Sequence, residues 1–483
     1  MPLKQVVFLL GSLMAIPAGV VFTTMWPGAD KFLLALLLLT NTMDIDITIM
    51  NQALYRGTTL GFEIGAQDIL AIVLFIARFV SPRWQGRRPM AAPLGTGLIV
   101  LYFATALPGV FFGPKKVYVL FEYWKFVRGF LVFWVVANTI SEEKDIKVVV
   151  YAILLSTLMA SLKMIYQRYG LGIHRVAGYM GHPNVSAMFL YMNIAFIAAW
   201  LLDGEVDIGI RWGVVLGLGT VGIMLTLSRG AIVMVPVIVL ALITLSTVHA
   251  LLPRRPGVPA NFRQLGRIAG IIGLGLLGSL PILWKSSDTL YKRFVKGNEK
   301  GTQGRMDKNA AAIHMANEKP LGVGVNRFSL FATAPYKYAE NYEREMPPGM
   351  HYRAPVHNIY LLIASEQGYY AIAPFVLLLI VSMRRALHEA RRSHTKETRA
   401  LAGGILACIL SVTVHGILEY QVRVANLWIL FFFALGALPA VRRMNEAAER
   451  AEEADQAQPQ DYTEESTYAN GWDGAQDAAG GTG

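Results

Sequence analysis

The sequence predicts an all-α polytopic membrane protein. Three observations carry that prediction. Hydrophobic residues make up 54% of the chain and charged residues only 16%, whereas soluble domains carry about 25% charge. The mean hydropathy is +0.43. Apolar segments of roughly 17–25 residues recur from end to end, each long enough to cross about 30 Å of hydrocarbon. Finally, these segments are continuous rather than alternating, so helices and not barrel strands must satisfy the backbone inside lipid.

Taken in order, candidate spans fall near 5–25, 30–42, 64–80, 93–112, 117–139, 146–165, 185–202, 212–228, 230–252, 267–284, 359–382, 400–417 and 425–441. The second is short, so about twelve crossings are expected. The first, QVVFLLGSLMAIPAGVVFTTMW, has only Lys4 ahead of it and no clear small-residue cleavage site. It reads as a retained helix rather than a removed signal. Three segments between spans are strongly basic: SPRWQGRRP (81–89), PRRPGVPANFRQLGR (253–267) and MRRALHEARRSHTKETR (383–399). Lys and Arg in short loops mark the cytoplasmic side, and the number of spans between the three is consistent with placing all of them there. The tail after Arg442–Arg443 follows them. The side of the amino terminus stays open: two spans within 1–42 place it outside, whereas a single crossing or a re-entrant 41–63 places it inside.

With this orientation, residues 285–356 form the one long outward loop, and loops of such length are usually functional. It contains GRMDKNAAAIHMANEKPLG, where Met306, Ala310 and Ile313 repeat at helical spacing and Gly322 follows as a stop. The shorter outward loop 166–184 is rich in Gly, His and Arg. From Asn445 the chain turns acidic and poor in aliphatic residues, which predicts disorder, either at once or after one more helical turn beyond the membrane. The net charge of +11 resides mostly in short loops and comes with no nucleic-acid-binding motif. Cys408 is the only cysteine, which excludes a disulfide framework or a zinc cluster within one chain. Asp44-Ile45-Asp46 is read as chance, not as a metal-binding pair.

The conspicuous polar residues gather at one side. Arg175 and His182 lie in the first outward loop, Arg305 in the long one, and His357 where that loop re-enters the membrane. His415 and Glu419 lie near the outer end of the next span. Arg229 interrupts LTLSRGAIVMVP, midway along an apolar run from Trp212 to Leu252. That run of about 40 residues would make roughly 60 Å of helix, twice a bilayer, so it must turn. Ser228-Arg229-Gly230 sits at the midpoint, where glycine permits the turn, and Arg229 then lies at the outer interface. Arginine presents a fork of donors suited to phosphate, and histidine is suited to proton transfer near neutral pH. The residues point to a site for a lipid-linked phosphate or diphosphate with proton-transfer chemistry. Plainer readings stand beside this one. An interfacial arginine can simply snorkel to lipid headgroups, and a histidine at a helix end can be a cap. Glu122, Lys125 and Arg128, spaced i, i+3, i+6, predict pairing within one helix face, or for Arg128 a role facing an inner cavity.

Together these patches resemble the O-antigen ligase-like membrane proteins, a family of O-antigen ligases, O-antigen and exopolysaccharide polymerases and some protein O-oligosaccharyltransferases. RVAGYMGHPNVSA (175–187) is similar to the family's Arg–Gly–Pro–Asn stretch before a span. LTLSRGAIV (225–233) is similar to its Ser-Arg-Gly turn. GRMDKNAAAIHMANEKPLGVGVNRF (304–328) resembles its loop helix, and HNIYLLIASEQGYYAI (357–372) its His-Asn motif. Ala371 and Asn309 depart from the ligase pattern, and a polymerase is preferred.

The resemblance implies a GT-C-like helical glycosyltransferase with one long periplasmic loop in the bacterial inner membrane. It implies inverting, metal-independent transfer of a glycan from an undecaprenyl-diphosphate carrier to a hydroxyl of a glycan, a lipid A core or a protein, with no cofactor. Residues 1–119 would be N-terminal transmembrane helices, 120–440 the catalytic membrane domain with loop 285–356, and 441–483 a disordered acidic cytoplasmic tail. Arg175, Arg229 and Arg305 would bind the diphosphate, and His357 would activate the acceptor. Asn184, Ser228, Asn358, Glu366 and Arg128 are expected around them. Membrane lipids are expected partners and nucleic acid is not. Two other classes compete: a transporter or flippase of lipid-linked sugar, whose site would lie near the midplane, and a scaffolding membrane protein.

Overall fold

The computed structural model describes residues 3–43, 45–204, 209–251, 299–339 and 352–457, with 266, 269 and 270 as isolated positions. Apart from those three positions, the predicted span 267–284 and basic segment 253–267 therefore lie outside the described residues, as do Asp44 and, within the long loop, 285–298 and 340–351. The helices are α1 (Leu3–Met25), α2 (Ala29–Met43), α3 (Ala66–Val80), α4 (Thr96–Ala104), α5 (Pro108–Phe111), α6 (Lys116–Thr139), α7 (Glu143–Ile165), α8 (Pro183–Asp203), α9 (Gly209–Leu225), α10 (Arg229–Leu251), α11 (Glu299–Glu318), α12 (Phe328–Phe331), α13 (Ile359–Gln367), α14 (Ile372–Arg392), α15 (Lys396–His415) and α16 (Ala425–Ala457). Among the described residues the regular structure is helical, as the apolar runs require, apart from a two-stranded antiparallel ribbon, β1 (Asp46–Ile49) and β2 (Phe62–Gly65), with Ile47 opposite Ile64.

Hydrogen bonds sort the helix ends into two groups. At one end, Arg83 donates to Asp30 at 2.6 Å and to Asp145 at 2.7 Å, tying the starts of α2 and α7 to the segment after α3. Ser81 joins the end of α1 through the Thr23 carbonyl at 3.1 Å. Arg443 reaches the carbonyls at the end of α6, Ser246 of α10 donates to Asp203 of α8, and Lys147 pairs with Glu397. The basic segments 81–89 and 383–399 and the Arg442–Arg443 pair all belong to this end. At the opposite end, Asn41 and Asn426 exchange amide-to-carbonyl bonds at 3.0 and 2.8 Å, and Gln5 donates to the Thr48 carbonyl at 2.8 Å. The start of α1 thus lies opposite the basic end. Residues 3–43 form two helices, and 46–65 form a ribbon with a connecting loop rather than a re-entrant helix.

Seven described helices, α1, α7, α8, α10, α14, α15 and α16, are long and apolar enough to cross a bilayer. Between the same two ends run five more that are shorter or more charged: α2, α3, α4 with α5, α6, and α9. Local chemistry explains most departures from the predicted spans. Pro108 has no N–H to donate back along the helix, and the chain before it tightens into i→i−3 bonds, Ala106 to the Phe103 carbonyl and Leu107 to the Ala104 carbonyl, both at 3.1 Å, so the run 93–112 divides into α4 and α5. The run 359–382 breaks at Gly368, whose φ of +90° lies outside the helical region. α8 is buried along its length and packs on α10 and α15, whereas α1 is mostly exposed.

Two further expectations change. The loop helix α11 forms, but it buries Ala311, Ala312, Met315 and Ala316, while Met306 is 59% and Ile313 43% exposed. Small side chains allow close packing on α13, so three alanines with Met315, and not Met306 and Ile313, mark the inner face. The tail predicted as disordered from 441 instead begins as helix. Residues 1–445 form one compact unit, and in the second unit α16 runs on through Ala457. The stretch EAAERAEEADQA is rich in good helix formers, and extending an existing helix avoids the cost of nucleation. Residues 458–483 lie outside the described residues.

Candidate active site

The site lies at the end opposite the basic segments, where α8 and α10 begin and α9 and α15 finish. The turn between α9 and α10 is made by Leu227, at φ +53°, and not by Gly230 as the sequence suggests. Gly230 already belongs to α10. Its value is space: a Cβ there would lie 2.4 Å from His415 Nε2, so only glycine lets that ring lie against the helix. Arg229 becomes the first residue of α10. α8 starts on His182, whose Nδ1 accepts the Asn184 N–H at 3.3 Å, with Pro183 where no N–H is needed. Two long helices therefore present their N-termini here, where unpaired N–H groups and the helix dipole favour an anion.

Between these ends lies a cavity of about 350 Å³. Arg175, Arg229 and Arg305 all line it, brought together from the 166–182 loop, α10 and α11. Asn184, Ser228, Gly230, His415 and Glu419 complete its polar wall, with Leu227 and Leu418 as apolar lining. Arg175 is held by donating from Nε to the Thr226 carbonyl at 3.1 Å and from Nη2 to Asn184 Oδ1 at 2.6 Å.

Glu419 is the centre of the arrangement. Its side chain is 4% exposed. Oε1 accepts from Arg305 Nη2 at 2.7 Å and from Asn184 Nδ2 at 2.9 Å, and Oε2 bonds His357 Nδ1 at 2.8 Å. Burial pushes this carboxyl upward, but the His357 bond and the His357 and Arg305 charges outweigh it, so its pKa lies below the ordinary 4.5. An ionised carboxylate only accepts, so in the neutral form of His357 the proton sits on Nδ1 and Nε2 is left as a base. The His357 ring also meets Tyr420 edge-on, with centroids 5.7 Å apart. The adjoining backbone is docked by the Ile359 N–H on the Gly416 carbonyl at 2.8 Å. Beside the site, burial and the neighbouring Arg175 hold His182 below its ordinary value of 6.5.

Of the five residues expected around this group, Asn184 and Ser228 line the cavity and three do not. Asn358 caps α13, accepting the Tyr360 and Leu361 N–H groups at 2.9 and 3.0 Å. Glu366 is buried deeper, accepting the Phe328 N–H at 3.1 Å with Arg423 at 3.6 Å. Arg128 pairs with Asp68 at 2.8 Å and Glu63 at 3.3 Å, which ties α6 to α3 and the ribbon rather than to an inner cavity. Lys125 and Glu122 do pair on their own helix, at 2.8 Å.

Conversely, His415 and Glu419, placed by the sequence near this end but given no role, belong to the cavity wall. The signal for both was HGILEY: a histidine, and a carboxylate one helical turn later, facing several arginines at a helix end.

Residues 213–379 match the family model of the O-antigen ligases. That stretch contains Arg229, Arg305 and His357, while Arg175, His415 and Glu419 lie outside it. No curated protein matches the chain. The matched stretch, the long apolar helices and the ordered patches agree: the chain is an integral membrane protein that is similar, over residues 213–379, to the O-antigen ligases, a family of glycosyl-transferring enzymes of surface polysaccharide biosynthesis.

Proposed function

We propose that this chain transfers a glycan from an undecaprenyl-diphosphate carrier to an acceptor hydroxyl, with inversion, as a polymerase of surface polysaccharide rather than a ligase. One observation carries the reading: three arginines from separate segments line one cavity with Glu419, which in turn bonds His357. As the glycosidic bond breaks, charge grows on the leaving diphosphate. Fixed arginines and helix N-termini in a poorly hydrated site stabilise that charge most at the transition state, so the proposed chemistry runs without a metal. The acceptor oxygen bonds to the anomeric carbon opposite the leaving group, and its proton passes to His357 Nε2. Glu419 then pairs with the imidazolium. Arg175, Arg229 and Arg305 hold the diphosphate in this scheme, and residues 120–440 form the catalytic membrane domain.

The site is proposed to face the periplasm from the bacterial inner membrane. The concentration of Arg and Lys at the opposite end supports that orientation through the positive-inside rule. About twelve crossings of GT-C-like type are proposed, the five shorter or charged helices completing passages between the same ends. The test is a strain lacking the gene, complemented with Arg229→Ala or His357→Ala. Inserted, folded variants that yield no polymer are expected, with the carrier capped by a single unit. Normal polymer from both would sink the mechanism, and accumulation of free carrier-linked polymer would identify a ligase.

A further inference from the structure

We propose that His415 is a further catalytic residue of this reaction, donating a hydrogen bond from Nε2 to the leaving diphosphate. The inference rests on the transferase reading above. The His415 ring lines the arginine cavity and is 1% exposed. Its two nitrogens have different neighbours. Nδ1 lies 2.6 Å from the hydroxyl of Tyr191, which is fully buried in the middle of α8. Among the described residues this is the one hydrogen bond of the Tyr191 hydroxyl. If Tyr191 accepted, its own O–H would be buried without an acceptor, which is the costlier arrangement. Tyr191 therefore donates, Nδ1 accepts, and neutral His415 carries its proton on Nε2.

Nε2 lies against Gly230 in the first turn of α10, beside Arg229. First-turn N–H groups have no carbonyl of their own helix to donate to. An anion seated there would meet the helix N-terminus, Arg229 and the His415 N–H together. No proton need leave His415. The bond from the anomeric carbon to the diphosphate oxygen breaks with its electron pair on that oxygen, the acceptor proton goes to His357, and His415 stabilises the new charge. The two histidines thus hold opposite tautomers: Glu419 sets His357 as a base and Tyr191 sets His415 as a donor.

The test uses the full chain in proteoliposomes with undecaprenyl diphosphate as the binding probe, and complementation of the deletion strain as the measure of transfer. His415→Ala is expected to lower transfer about 10²-fold, the usual loss for one such donor, and to weaken undecaprenyl diphosphate binding. His415→Gln, whose amide N–H reaches the same position, is expected to recover most of both. Tyr191→Phe, which releases the tautomer, is expected to fall between them. Wild-type transfer and binding in His415→Ala would overturn the proposal. So would a His415→Gln as inactive as His415→Ala when its melting temperature equals that of the wild type. Arg229→Ala and His357→Ala run alongside. If they are inactive while His415→Ala is normal, only the role of His415 falls; if all three are active, the transferase reading falls with it.

Discussion

Glu419 Oε2 and His357 Nδ1 lie 2.8 Å apart, and the other oxygen of the same carboxylate holds Arg305 at 2.7 Å. One buried carboxylate therefore joins the proposed base to the proposed diphosphate site. Glu419→Gln should break the tautomer control of His357 and loosen Arg305 together. A fall in transfer of about 10²–10⁴-fold is expected, the range of a positioned general base, with the protein still inserted. Polymer formed by the complemented strain measures it, and unchanged output would show that Glu419 has only a structural role.

The depressed pKa of Glu419 also predicts a pH dependence of stability. The folded state holds the proton less tightly than the unfolded chain, whose value is near 4.5. The stabilisation is thus fully present above that value and is lost as the pH falls through the lower folded value. The melting-temperature gap between wild type and Glu419→Gln should be constant near neutrality and shrink under acid. A gap that grows as the pH falls would contradict the assignment.

Gly230→Ala should destabilise the site although alanine is the better helix former. The new Cβ would lie 2.4 Å from His415 Nε2, and the Tyr191 bond restrains the ring from retreating. Overpacking of this kind costs about 1–3 kcal/mol. The double variant Gly230→Ala/His415→Ala removes the overlap, so its melting temperature should exceed that of the Gly230→Ala single variant.

Gly322→Ala should be poorly tolerated for a different reason. Gly322 adopts φ +75°, and a Cβ would lie 2.3 Å from the Glu366 backbone. Here the next two N–H groups dock on the end of α13, Val323 on the Ser365 carbonyl at 2.9 Å and Gly324 on the Glu366 carbonyl at 2.8 Å. Neither backbone can yield cheaply. Reduced folded protein by size-exclusion chromatography in detergent is expected.

Asp68→Ala separates structural from functional charges. It would remove the closer carboxylate from Arg128, which is 2% exposed, and breaking a buried pair costs about 3–5 kcal/mol. A lower melting temperature is expected, with undecaprenyl diphosphate binding of the surviving fraction unchanged. Weakened binding at unchanged stability would return Arg128 to the site.

The membrane-helix class was legible in the sequence because hydropathy and segment length are properties of contiguous residues. So was the placement of Arg175, Arg229, Arg305 and His357 at one end, since counting residues along apolar runs locates each helix end. Tertiary structure decided the rest. Glu419 meets His357, Arg305 and Asn184 across separations of 62, 114 and 235 residues, and no local periodicity encodes such meetings. Spacing on α6 predicted the pairing of Glu122 with Lys125, yet the partners of Arg128 come from α3 and the ribbon. The glycine of Ser-Arg-Gly reads as a turn residue in one dimension; packed against His415, it is a gap that only the fold reveals. Helices and their ends follow from local burial in lipid, whereas hydrogen-bond partners follow from which helices pack together.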